Sequence, residues 1–158
     1  MGSHLATYLR DHHAGATAGV ELARRAAGSN EGNPYGEELS RIADEIAEDR
    51  ASLERVMDEL GVRADPIKDR AAWAAEKLGR LKPNGRMIGY SPLSRVIELE
   101  GLVLGVTGKL ALWESLKAAA GARIDAVDLD RLTERAADQR RRLEALRRDA
   151  ASEALARE

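Results

Sequence analysis

Four long stretches of this chain repeat their apolar residues at alternating steps of three and four, the spacing that lines one face of a helix. In the first, about Leu5 to Ala27, the stripe is Leu5, Leu9, His12, Ala16, Gly19, Ala23 and Ala26. The second, about Tyr35 to Leu60, aligns Leu39, Ile42, Ile46, Asp49, Leu53, Val56 and Leu60. The third, from Ser91-Pro92 to about Ala120, aligns Leu93, Val96, Glu100, Val103, Thr107, Leu110 and Glu114. The fourth starts after Asp125 or Asp128 and runs nearly to the C-terminus through Leu129, Leu132, Ala136, Gln139, Leu143, Leu146 and Ala150. The punctuation agrees with these limits. Gly28-Ser29-Asn30-Glu31-Gly32-Asn33-Pro34 is loop-forming, Gly61 and Gly121 stand where helices stop, and Ser91-Pro92 is an N-cap followed by proline at the first helical position.

Short loops force neighbouring helices to run antiparallel, whereas the stretch from Gly61 to Tyr90 is long enough to travel the length of a bundle. Within it, Asp65-Pro66 opens a further short helix to about Leu78. The fold expected is all-α: a four-helix bundle of two helical hairpins joined by a long crossover containing a short helix. A chain of 158 residues suits one domain, residues 5–158, with Met1-Gly2-Ser3-His4 reading as an expression-tag remnant.

Composition supports the class and narrows the function. Charged residues make up 33%, aromatics 3%, and phenylalanine is absent, a balance that favours helix over sheet. The net charge of −2 gives no global reason to bind nucleic acid. With no cysteine there is no disulfide, thiolate metal site or thiol nucleophile, which fits a reducing compartment, so a cytoplasmic location is expected. The longest apolar stretch, Leu93 to Trp113, is interrupted by Arg95, Glu98, Glu100 and Lys109 and does not read as a membrane span. No serine or threonine is spaced with a base as a nucleophile would be, so a non-catalytic role is expected.

Each stripe places one hydrogen-bonding residue where an aliphatic one belongs: His12, Asp49, Glu100 and Gln139. A buried carboxylate has to find donors, take up a proton or bind a cation. Two hairpins, a crossover and inward polar residues from all four helices resemble the ferritin-like superfamily. That resemblance implies a Glu from helices one and three and a Glu-x-x-His from helices two and four, together holding two metal ions. Glu100 matches the third-helix Glu. His12 stands in place of the first, while the other two slots read Ile46-Ala47-Glu48-Asp49 and Ala136-Ala137-Asp138-Gln139, without either histidine or its glutamate partner. The di-metal site is therefore degenerate and no cofactor is expected.

Two alternatives remain open at this level. His12, Asp49 and Glu100 can bind one divalent metal, with Gln139 behind them, since imidazole and carboxylate suit Zn, Mn or Fe. The other is a partner or anionic-ligand surface on the crossover, where Arg80, Lys82, Arg86 and Tyr90 lie in a locally basic, partly apolar segment. A homo-oligomer, most simply a dimer, is expected. Gly15-Ala16-Thr17-Ala18-Gly19 and Gly101-Leu102-Val103-Leu104-Gly105 are small-residue patterns whose simplest account is close contact between helices one and three, with a ligand channel beside the glycines as the alternative.

Overall fold

The computed structural model describes residues 4–64 and 89–156. They form four long helices, α1 (His4–Ser29), α2 (Gly36–Glu59), α3 (Pro92–Ala120) and α4 (Leu129–Leu155), with a short 3-10 turn, Gly121–Arg123, after α3. Among the described residues there is no strand, and no helix is long and apolar enough to cross a membrane. The expected short helix from Asp65 to Leu78 lies outside the described residues, as do Arg80, Lys82 and Arg86.

The helix ends form where the local chemistry supplies a partner for free backbone groups. Ser91 Oγ accepts from the Ser94 N–H at 3.1 Å and Ser94 Oγ accepts from the Ser91 N–H at 3.3 Å, a reciprocal cap ahead of Pro92. Asp128 caps α4 by accepting from the Arg131 N–H at 3.0 Å. Gly61, at φ +67°, takes the left-handed conformation just beyond α2. Gly36 is required for a different reason, because a Cβ there would sit 2.2 Å from the Asn30 carbonyl oxygen. Only a bare backbone lets the α1–α2 turn close so tightly.

Cross-helix pairs fix the directions. His13 meets Glu54 across α1 and α2, which fold back on each other through the short turn at 30–35. Tyr8 pairs with Ser115 and Arg25 with Glu98, so α1 and α3 run antiparallel. Arg135 pairs with Asp49 and Arg142 with Glu38, so α2 and α4 do the same. The chain leaves α2 at the end where Glu59 accepts from the Asp125 and Ala126 N–H groups. It re-enters at the opposite end, where Tyr90 meets Asn30.

The apolar core is two clusters stacked along the bundle. One holds Leu9, Leu53, Val56, Leu112, Trp113 and Leu132, the other Val20, Leu39, Ile42, Leu99, Leu102 and Leu143. Between them lie the buried polar residues Asp49 and Gln139.

The stripes of α2 and α4 bury the residues expected of them, except Leu60 and Leu146, which are half-buried. Those of α1 and α3 are turned. In α3 the buried line is Leu99, Leu102, Val106, Leu110, Trp113 and Leu116, essentially one residue or about 100° from the expected one. Leu93, Glu100, Thr107 and Glu114 are exposed as a result. In α1 the core takes Ala6, Leu9, Ala14, Thr17, Val20, Ala23 and Ala26, leaving His12, Ala16 and Gly19 at its edge. Both helices carry small or apolar residues on several faces, so their patterns hold little contrast from which to read the rotation.

Candidate functional site

The layer between the two core clusters is an ion-pair network built from α2, α3 and α4. Asp49 sits at its centre with a side chain only 1% exposed. It accepts from the Lys109 ammonium, from Arg135 Nε at 2.8 Å and from Gln139 Nε2 at 3.0 Å. Lys109 donates as well to Gln139 Oε1, and Gln139 Nε2 also reaches Glu45 at 3.0 Å. Burial pulls the Lys109 pKa down, while the charge and hydrogen bond of Asp49 pull it back up. Toward the α2–α4 surface the network continues through Arg135 to Glu48 and through Arg142 to Glu38 and Glu45. Asp49 thus meets its requirement for donors with two cations and an amide.

Of the four polar seam residues expected to meet, only Asp49 and Gln139 do so. Glu100 points outward: its side chain is 53% exposed and its nearest cation, Arg147, stands 4.0 Å away. The glutamate that α3 buries is Glu98, which accepts from Arg25 Nε at 3.1 Å and from the Tyr90 hydroxyl at 3.0 Å. His12 is half-buried and packs edge-on against the Tyr8 ring at 4.5 Å between centroids. Burial holds its imidazole below the ordinary value of 6.5, against the opposing charge of Asp11, so it is neutral near pH 7. Among the described residues no three His, Asp or Glu side chains are grouped to hold a metal ion. The expected His12, Asp49 and Glu100 set does not converge, because the turn of α3 moved Glu100 out and Asp49 is already occupied by Lys109 and Arg135.

Lys109 was the residue missing from the sequence-level site. A lone lysine inside an apolar helix, opposite a helix with an aspartate at a core position, was the available signal. Tyr90, the described member of the basic crossover surface, commits its hydroxyl inward. It accepts from Asn30 Nδ2 at 2.7 Å and donates to Glu98, and burial first, then Glu98, push its pKa up to about 12.

The same three expected residues do line one feature together, a cleft of about 520 Å³ between α1 and α3. Its walls are Gly15, Gly19 and Leu22 from α1 and Gly101, Leu104, Gly105 and Gly108 from α3; Ile46, Asp49 and Leu53 of α2 lie at its depth. A Cβ added at Gly19, Gly105 or Gly108 would meet nothing within 4 Å. Gly19, Gly105 and Gly108 therefore border open space, although α1 and α3 still approach closely along this seam as expected. Gly101 differs, facing Leu22 Cδ2 at 3.2 Å.

Polar clasps bound the cleft at each end, Tyr8 on Ser115 at 3.3 Å and Arg25 on Glu98 at 3.1 Å. Near the first clasp it is polar, with His12, Asp49, Lys109 and Trp113. Toward the second it is apolar, with Gly19, Leu22, Ile97 and Gly101.

Compared with models of known protein families, with curated proteins and with solved structures, the chain finds no match.

Proposed function

We propose that this protein is a non-catalytic bundle of ferritin-like arrangement, serving as a binding or structural module, in which an ion-pair layer replaces a dinuclear metal centre. The single observation that carries this reading is the seat of Lys109. At the level of Asp49 and Gln139, the two slots the resemblance assigns to metal ligands, an ammonium and a guanidinium already neutralise the one buried carboxylate. A third or fourth cation there would face uncompensated charge at close range. The donor set does not fit two metal ions, since it lacks both histidines and turns Glu100 to solvent. The antiparallel order of α1 with α3 and of α2 with α4, with the chain crossing from one end to the other, supports the ferritin-like arrangement.

Elemental analysis of purified protein, with melting measured with and without chelator, tests the reading. It expects no stoichiometric transition metal and an unchanged melt. Two tightly held metal ions whose removal lowers the melting temperature would overturn it.

A further inference from the structure

Of the four large apolar side chains left exposed among the described residues, two, Leu93 at 52% and Leu104 at 74%, lie on one line of α3 with Ile97 and Ala111. A second line runs beside it on α1. Asp11, Gly15, Ala18, Leu22 and Arg25 recur there at steps of four and three, away from the seam that α1 buries. Between its two charged ends this outer line is small or apolar, and the glycine-lined cleft runs between it and the line on α3. An apolar face that continues across two neighbouring helices marks an interaction surface.

What the face receives is selected by its ends. Asp11 is exposed and makes no hydrogen bond or ion pair among the described residues. Arg25, with a side chain 50% exposed, gives its Nε to Glu98 at 3.1 Å, and its two terminal amino groups have no partner among the described residues. The other carboxylates lining the cleft are answered within the chain, Asp49 by Lys109 and Arg135, and Glu100 by Arg147 of α4 at 4.0 Å. Asp11 and Arg25 each stand seven residues from Ala18, about 10 Å along the axis in opposite directions. Ala18 is ten residues on from Tyr8 and Gly105 ten back from Ser115, so the Tyr8–Ser115 clasp sets Ala18 level with Gly105, next to Leu104. A two-fold axis crossing both helices at that level carries Asp11 of one copy to Arg25 of the other and Arg25 to Asp11, while Ala18 meets Ala18 and Leu104 comes beside its own counterpart. An axis along the helices would instead hold each acid level with the other copy's acid. The face is complementary to itself, in one orientation.

We propose that the α1–α3 face is the interface with a second copy of this chain, the two packed antiparallel about that two-fold axis, with Asp11 and Arg25 paired at both ends and Leu22, Leu93 and Leu104 buried between. Burial of these apolar side chains supplies the affinity. The exposed ion pairs add little to it, but they set the register and reject the opposite orientation. Gly101 and Gly108 lie within about one turn of the axis on either side and let the two α3 backbones approach. The proposal goes beyond the reading of the chain as a binding or structural module and does not rest on the ion-pair layer.

The test is sedimentation equilibrium of the full chain over a range of concentrations, for the wild type, Leu104→Glu and Asp11→Lys. The wild type should be a dimer. Leu104→Glu should be a monomer with an unchanged helical spectrum, since the side chain it alters is 74% exposed within one copy. Asp11→Lys, which turns two attractive pairs into repulsive ones, should weaken association about tenfold. The chain has no cysteine, so a single introduced thiol reports the axis. Ala18→Cys should oxidise to a covalent dimer on the order of tenfold faster than Ala51→Cys, which places the thiol at an exposed position of α2. A monomer at every concentration into the millimolar range, a dimer that survives Leu104→Glu, or equal oxidation of the two thiol variants would overturn the proposal. Metal content is read on the same samples, so a metal-free monomer removes the dimer and leaves the ion-pair layer standing.

Discussion

The two seams between the hairpins solve the same packing problem in opposite ways. Between α2 and α4 long charged side chains fill the space: Arg135 reaches Glu48 and Asp49, Gln139 reaches Glu45, and Arg142 reaches Glu38 and Glu45. Between α1 and α3 the side chains are reduced to hydrogen at Gly15, Gly19, Gly101, Gly105 and Gly108, and the space stays open. Helices held apart by arginine need no aliphatic filler, whereas α1 and α3 approach more closely and their glycines leave a cleft beside the contact. One seam is specified by charge geometry and the other by what it leaves out.

Breaking the closed seam at its centre should have the largest effect. Lys109→Met removes one of two cations, its side chain 14% exposed, from a carboxylate that is 1% exposed, and is expected to cost about 3 kcal/mol, the low end of the scale for breaking a buried ion pair, because Arg135 and Gln139 remain. Urea denaturation measures it. A neutral result would mean that Arg135 and Gln139 alone satisfy Asp49, and the comparison would lose the central cation of its charged half.

The open seam should respond with the opposite sign. Gly105→Ala is expected to stabilise the protein by about 1 kcal/mol, since alanine is the better helix former and its methyl meets no neighbour. Gly101→Ala should gain less because Leu22 must give way at 3.2 Å. If thermal melts show Gly105→Ala destabilising, the α1–α3 wall is closed in solution.

Toward the surface of the closed seam the stakes fall. Arg142, with a side chain 27% exposed, bridges Glu38 and Glu45. Arg142→Ala should cost about 1 kcal/mol or less, and the loss should shrink in high salt. The smallest effect is expected at the polar end of the cleft. The folded-state pKa of His12 is lowered, so the unfolded chain binds its proton more readily. Stability should therefore fall as pH drops through 6.5 toward the folded value, and His12→Leu should flatten that slope in melts across pH.

The sequence was most legible where charge contrast was highest. In α2 and α4, arginines and glutamates on the outer faces isolate the apolar line, and Asp49 and Gln139 fall on it as read. In α3, Glu98 and Glu100 lie about 200° apart on the helix, so only one can face inward, and the choice depends on the rotation of a helix that is apolar nearly all round. Glu98 wins because Arg25 and Tyr90 are there to receive it. Arg25 comes from α1, far off in sequence, and Tyr90 from just ahead of the α3 cap, so no pattern within the helix announces them. Trp113 was hidden in the same way, by a neighbour, Glu114, that fitted the misread stripe. The helix ends were legible for the opposite reason: Ser91, Asp128 and Gly61 act on backbone within a turn of themselves.

Asn30 has a consequence for how the molecule opens. Its amide is fully buried and is divided among the Ala26 carbonyl, the Tyr90 hydroxyl, the Arg95 guanidinium and Asn33. Two of those partners belong to the second hairpin, so pulling the hairpins apart strands polar groups on both sides at once. Partial separation at this end gains nothing from the bonds that remain within the turn. The hairpins should therefore be coupled in their rarest fluctuations, and the most protected amides of α1 and α3 should exchange with deuterium at one shared free energy, as a single cooperative unit.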